Sequence, residues 1–200
     1  MKKFSASTSA DIDTLIEDLQ DAQFCRDFNR TVELFSPLWD IFVPPDFSRF
    51  ETHQRARLFH FAGDFLLEYG KAKSLPELIA NGKDCLTNAI ECYFAIENID
   101  RTFECQMLLA FAYAYEGSVN EYHDLLDEAE QHFQHFQTNP VYLQIQISFI
   151  MIANRQNDLK KALSVINKIE PLVGQCSDLK IKTMFYSQTG AIYRRLEQYE

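Results

Sequence analysis

Glycine and proline are scarce in this chain, with six of each among 200 residues. Both residues interrupt regular structure, so their scarcity favours long helices joined by short turns. Long apolar runs are also missing, because charged residues break each one before the roughly 18 to 20 residues that span a bilayer. The small polar segment after Met1–Lys3 lacks the apolar centre of a signal peptide. We therefore expect neither a membrane span nor a secretory signal.

Positive charge is in short supply as well, with 19 Lys and Arg against 29 Asp and Glu and a net charge of -10. Binding to nucleic acid or to anionic membranes depends on basic side chains, so we expect neither partner. The hydrophobic content of 46% is too high for a disordered chain. The cysteines are odd in number and scattered, which favours reduced thiols in a cytoplasmic protein. They are Cys25, Cys85, Cys92, Cys105 and Cys176.

Catalytic and cofactor motifs are absent from the sequence. There is no Cys-x-x-Cys pair, no phosphate-binding glycine loop and no Gly-x-Ser-x-Gly elbow. His132 and His135 are spaced so that they could share a metal ion, and His123 lies nearby, but the helix is acidic and no Cys or third His falls on the same turn. We interpret the histidines as solvated surface groups, and we predict a protein that is not an enzyme and has no metal or other cofactor.

A spacing of forty residues recurs in the second half of the chain. Each copy has a small or aliphatic residue, a second residue three places later and a turn position four places after that. The copies are Ala110, Tyr113 and Gly117; Ile150, Ala153 and Asn157; and Gly190, Tyr193 and Glu197. This pattern predicts a helix that crosses closely over a second helix after the turn. Because one such hairpin cannot bury its apolar face alone, we expect the hairpins to stack.

The same pattern begins earlier at Gly63, with an insertion at 71 to about 83 in which Pro76 starts a helical turn. We predict an all-α protein with a disordered tail at 1–10, a helical capping region at 11–47 and a repeat array at 48–200. Helices are expected at about 11–23, 26–38, 101–116, 119–136, 140–155 and 158–170, with a last one from Asp178. The helix that contains Gly63 is expected to follow a capping box of Ser48 and Glu51.

These hairpins resemble tetratricopeptide repeats. The resemblance is carried best by Leu109–Gly117, Asp158–Leu163 and Gly190–Tyr199, and it covers about residues 50–200. It implies stacked antiparallel helical hairpins in a right-handed α-solenoid that binds proteins through its concave surface. The period is 40 rather than about 34 residues, and Tyr122 stands where a small residue is usual. The acidic, Phe-rich chain is also similar in style to the sensor or scaffold regions of bacterial signalling and transcription regulators.

The first helix of each hairpin is expected to line the concave groove. The predicted groove residues are Arg57, His60, Asp64, Glu68, Glu104, Met107, Phe111, Tyr115, Gln144, Ile147, Met151, Arg155, Met184, Ser187, Arg194 and Arg195. This stripe changes from acidic through apolar to basic, which suits an extended peptide or partner helix. The alternative for Met107, Phe111, Ile147 and Met151 is that they pack between helices. For Arg194 and Arg195, the alternative is that they pair with Glu197, Glu200 or a further helix.

The predicted function is that of a cytoplasmic scaffold module which binds a protein or peptide and belongs to a larger protein. The alternative is a ligand- or peptide-responsive region that controls an attached effector. The last helix has no predicted partner, so we expect the native chain to continue beyond residue 200. We also expect Ile192, Tyr193 and Leu196 to be partly uncovered, or covered by a second copy in a homodimer.

Overall fold

A computed structural model describes residues 9–25, 27–133, 135, 137 and 139–197. Within these residues the chain forms nine α-helices and no strand, which confirms the all-α prediction. The helices are α1 (Ser9–Phe24), α2 (Phe28–Phe35), α3 (Thr52–Lys73), α4 (Pro76–Ala95), α5 (Ile99–Glu116), α6 (Val119–Phe133), α7 (Pro140–Arg155), α8 (Leu159–Gln175) and α9 (Leu179–Glu197). Residues 1–8 of the predicted tail and 198–200 lie outside the described residues.

The helices belong to two compact units, Met1–Tyr122 and His123–Glu200, and the division falls inside α6. In the first unit α3 packs mainly on α4, and α5 packs on α4 and also contacts α3. In the second unit α7 packs on both α8 and α9. The predicted boundary between the capping region and the repeat array at 47/48 lies within the first unit, where Phe47 packs edge-on against Phe59 of α3 at 4.9 Å between ring centroids.

The core of the first unit is built largely from aromatic rings of α2, α3 and the 36–51 segment. Phe35 contacts both Trp39 and Phe65, at centroid distances of 5.3 and 6.3 Å. Apolar residues of α1, among them Ile16 and Leu19, are fully buried in the same core. This packing holds the irregular 36–51 segment against α3 without secondary structure of its own.

The α3–α4 hairpin crosses at glycines, as the repeat pattern predicted for Gly63. A Cβ built on Gly63 would lie 2.7 Å from Leu86 Cγ and 3.0 Å from the backbone oxygen of Gly82. The approach is equally close from the side of α4, because a Cβ built on Gly82 would lie 3.1 Å from the backbone oxygen of Gly63. The two backbones therefore meet at this point. The last copy, in which Gly190 holds the same place, was predicted without a second helix, and no atom lies within 4 Å of a Cβ added at Gly190.

Four interhelical turns share one backbone geometry. Ser74, Glu97, Gly117 and Asn157 have φ between 55° and 86°, in the left-handed region. In each turn the next amide donates to the carbonyl five residues before it, at 2.8 to 2.9 Å. This closure satisfies carbonyls that a helix end leaves free. The turns at Gly117 and Asn157 lie forty residues apart, as the sequence repeat predicted.

Several predicted boundaries were wrong. Ser48 does not cap α3, because its amide bonds to Asp46 Oδ1 in a local turn and the helix begins at Thr52. The 71–83 insertion is helical apart from a short turn, since α3 runs to Lys73 and α4 starts at Pro76 as the proline predicted. Helix α8 continues through Pro171 to Gln175 instead of ending near 170, and this extension buries Val173 completely.

Candidate functional site

The predicted groove residues of α3 lie beside a polar cluster in the first unit. Arg57 donates to Asp13 of α1 at 3.0 Å. His60 Nδ1 lies 3.5 Å from the hydroxyl of Tyr93, and Glu68 pairs with Lys71 at 3.4 Å. Burial raises the pKa of the Tyr93 hydroxyl. Arg57 is therefore engaged in interhelical contacts, whereas Glu68 has a local partner.

The α5 residues of the predicted groove divide between core and surface. Met107 is buried, which favours the packing alternative for this residue, and Phe111 is half-buried. Glu104 receives a 2.6 Å bond from Arg101. Tyr115 is 52% exposed, with Lys71 Nζ 5.5 Å from its ring centroid. Asp64 of α3 and Glu104 both raise the pKa of Cys105, after the larger effect of burial, so these two predicted residues approach the same thiol.

The α7 residues of the predicted groove are divided in the same way. Ile147 is fully buried, so this residue too packs in the interior. Gln144 and Met151 are half-buried, and Arg155 is exposed. Helix α7 is covered on most of its circumference, which suits a central helix between α8 and α9.

Arg195 has a structural partner that the sequence did not reveal. Its Nη1 donates to the backbone oxygen of Asn154 at 2.6 Å, and its Nη2 donates to Asn157 Oδ1 at 2.6 Å. The arginine thus caps the carboxyl end of α7, where helix carbonyls are free and a positive charge is favourable. Arg194, the adjacent residue, is exposed, and its Nε donates to the backbone oxygen of Gly190 in its own helix at 3.3 Å.

An unusual apolar stripe follows the outer face of α9. Leu179, Tyr186 and Tyr193 are 75%, 55% and 46% exposed. They are spaced seven residues apart, so they lie along one line of the helix. The opposite face of α9 is packed in the interior, because Ile181, Phe185 and Ile192 are completely buried. The expectation that Ile192 would be uncovered was wrong, whereas Tyr193 is exposed and Leu196 is half-buried as expected.

The stripe has basic residues on both sides. At 100° per residue, Lys182 falls on one edge of the stripe and Arg194 on the other. Helix α9 carries four basic residues and one acidic residue, Glu197, in a chain whose net charge is -10. Large exposed apolar side chains and basic residues therefore occur together on this helix.

Among the predicted groove residues, Ser187 and Arg194 lie on the exposed side of α9. Leu179 and Tyr186 are not among the predicted residues, because the repeat pattern marks buried positions. The seven-residue spacing of Leu179, Tyr186 and Tyr193 was a signal that could have found the stripe. Which face of α9 is covered depends on α7 and α8, and this could not be predicted from α9 alone.

No three His, Cys, Asp or Glu side chains in the described part of the chain are grouped closely enough to hold a metal ion. His132 stacks edge-on against Phe133 at 4.9 Å, and His123 Nε2 lies 3.4 Å from Gln156 Nε2. All five cysteines are free thiols, with Cys85 and Cys105 buried and Cys25 exposed. Within the same residues, no helix combines the length and apolarity needed to cross a bilayer.

Comparison with known proteins gives no relative from which a function could be transferred. No family model, curated protein or solved structure matches the chain significantly.

Proposed function

We propose that this chain is a protein-binding module, and that the outer face of α9 takes an acidic amphipathic helix of a partner. The observation that carries the proposal is the stripe of Leu179, Tyr186 and Tyr193 on a helix whose other face is already buried. Exposed aromatic side chains next to basic ones are typical of binding hot spots. A helix in water has no need of three large apolar residues in one line, so a partner that covers them would explain their presence.

The partner's chemistry follows from the edges of the stripe. Lys182 and Arg194 would attract carboxylates, and a guanidinium can bind a carboxylate through two parallel hydrogen bonds. A second copy of α9 would bring the same positive charges together, which disfavours a homodimer through this face. An apolar line with acidic flanks therefore fits the stripe better than α9 itself does.

We further propose that the hairpins are TPR-like repeats stacked as a right-handed α-solenoid in a cytoplasmic protein. The equivalent turns at Gly117 and Asn157 support the repeat, because both use left-handed backbone and the same closing hydrogen bond. The free thiols of all five cysteines support a reducing compartment. The exposed groove residues Tyr115 and Arg155 would offer further contacts along such an array.

The proposal is tested with a defined probe, a synthetic helical peptide that has leucines along one face and glutamates on both flanks. We expect Tyr186→Ser and Tyr193→Ser each to weaken peptide binding about tenfold, measured by fluorescence anisotropy, since such anchors contribute more than about 1 kcal/mol. Both side chains are about half exposed, so the melting temperature should hardly change. Phe94→Ser is the matched control, because Phe94 is 68% exposed on α4.

A peptide with lysine in place of glutamate should bind weakly if Lys182 and Arg194 select the charge. Equal binding of both peptides would refute the proposed partner chemistry. Loss of binding in Tyr115→Ser, with normal binding in the two α9 variants, would instead assign the peptide to the groove residues of α5.

A further inference from the structure

A second feature, a cleft in the first unit, is independent of α9. The cleft has a volume of about 570 Å³, within the usual range for small-molecule sites. One wall is the 45–48 segment, which includes Phe47. The other walls are one face of α3, with Arg55 and Phe59, and one face of α4, with Asn88 and Glu91. Aromatic and charged groups thus line the same concave surface.

Arg55 has hydrogen-bonding capacity that the protein does not use. A guanidinium carries five N–H donors. Nη2 donates to Thr52 Oγ1 at 3.3 Å, whereas Nε is buried and has no hydrogen-bond partner. No carboxylate of a described residue pairs with this guanidinium. Leaving such a donor unsatisfied is unfavourable, which is why buried polar groups are normally bonded.

Glu91 supplies the opposite charge to the same cleft. It is exposed, and it makes no ion pair or hydrogen bond with any residue that the structure describes. The second carboxylate of the lining, Asp46, is already engaged, since it accepts the amide of Ser48 at 2.9 Å. Arg55 and Glu91 therefore line one cleft as a cation and an anion that do not form an ion pair with each other.

The neighbouring groups restrict the ligand further. Asn88 Nδ2 donates to Asp84 O at 2.8 Å, so its amide is held in place beside the cleft. Phe59 is half-buried and adds apolar surface, and the buried ring of Phe47 packs against it. The thiol of Cys92 is half-buried, and burial raises its pKa more than the charge of Arg55 lowers it, so the thiol is neutral near pH 7.

We propose that this cleft binds a small zwitterion with an apolar side chain. Arg55 would hold the ligand's carboxylate, Glu91 its ammonium group, and Phe59 its side chain. A free α-amino acid and a short peptide with both termini free share this chemistry. They differ in the separation of the two charges, so binding can distinguish them.

The test uses phenylalanine as the probe for a free amino acid and the dipeptide Ala-Phe as the probe for a peptide, with calorimetry on the whole chain. We expect one of the two to bind at least tenfold more tightly than the other. N-acetylphenylalanine, which lacks the ammonium charge, and phenylalanine amide, which lacks the carboxylate, should each bind at least tenfold more weakly than phenylalanine if the amino acid is preferred. The same blocked forms of Ala-Phe apply if the dipeptide is preferred.

Two variants assign the charges within the cleft. Arg55→Gln should abolish the preference for a free carboxylate, and Glu91→Gln should abolish the preference for a free ammonium group. Arg49→Gln is the matched control, because Arg49 is exposed and lies over the Phe50 ring at 4.8 Å. Arg55→Lys, which keeps the positive charge, should retain part of the preference, and circular dichroism would establish that each variant is folded.

If neither probe binds at a concentration of about 10 mM, the proposal is overturned, because a specific site should bind its ligand with a lower dissociation constant than that. Equal binding of the blocked and free forms would overturn it as well, because the charges would then have no role. Unchanged selectivity in folded Arg55→Gln would show that the ligand lies elsewhere. None of these outcomes depends on α9, so the protein-binding proposal is tested separately.

Discussion

Replacing Gly63 by alanine should destabilise the first unit, although alanine is the better helix former. Alanine in a helix is favoured over glycine by about 1 kcal/mol. At Gly63, however, the new methyl group would lie 2.7 Å from Leu86 Cγ and 3.0 Å from the oxygen of Gly82. Leu86 is fully buried and the oxygen belongs to the backbone of α4, so neither can move aside easily. Overpacking of this kind costs about 1 to 3 kcal/mol. With a cost near the upper end and the gain of about 1 kcal/mol from alanine subtracted, the free energy of unfolding should fall by about 2 kcal/mol.

Gly190→Ala is the matched control for this prediction. Gly190 also lies inside a helix, but no atom is found within 4 Å of its added Cβ. The same substitution should therefore stabilise the protein by about 0.5 to 1 kcal/mol. Urea unfolding followed by circular dichroism should show opposite shifts in midpoint for the two variants. If Gly63→Ala were as stable as Gly190→Ala, the backbones of α3 and α4 would not meet at Gly63.

Three further predictions concern single side chains. Arg195→Ala should lower the free energy of unfolding by about 1 to 3 kcal/mol, because it leaves the carboxyl end of α7 uncapped, whereas Arg194→Ala should have little effect in the same urea assay. Glu97→Gly should raise the free energy of unfolding by up to about 1 kcal/mol, since residue 97 has a φ of 55° that costs a non-glycine residue energy; an unchanged midpoint would contradict this. Burial raises the pKa of the Cys85 thiol from about 9 to about 12, and that of Cys105 also rises. Because the folded-state pKa is the higher one, burial of the neutral Cys85 thiol contributes its full stabilisation below pH 9, and this contribution falls as pH rises from 9 to 12. In Cys85→Ala, the free energy of unfolding should therefore fall less steeply with pH over this range, by the equivalent of up to one proton.

The helices of this protein could be predicted from the sequence more reliably than its surfaces. Pro76 predicted a helix start, since a proline fits the first turn. The start of α7 was predicted at about 140, where the Asn139 side chain accepts the amide of Val141 at 2.8 Å. The turns at Gly117 and Asn157 also followed from the pattern. The prediction that α8 ends near Pro171 was wrong, because a proline breaks a helix only if tertiary packing does not favour its continuation.

The candidate sites were harder to predict because they depend on contacts between distant residues. Nothing near Arg195 in the sequence indicates that it caps α7 through Asn154. The cleft beside Arg55 combines the 45–48 segment with two helices, so no local motif describes it. The buried position of Ile147 and the exposed position of Tyr186 likewise result from which helix faces are covered. Periodicity predicts that a face will be buried, but it does not identify the element that buries it.

The central claim is that the outer face of α9 is the binding surface, and an NMR titration tests it most directly. The ¹⁵N-labelled protein would be titrated with the acidic amphipathic peptide while amide signals are followed residue by residue. We predict that the largest shifts fall within 179–197 and centre on the stripe of Leu179, Tyr186 and Tyr193. Shifts concentrated on α3 and α5, or spread evenly over the chain, would contradict the claim.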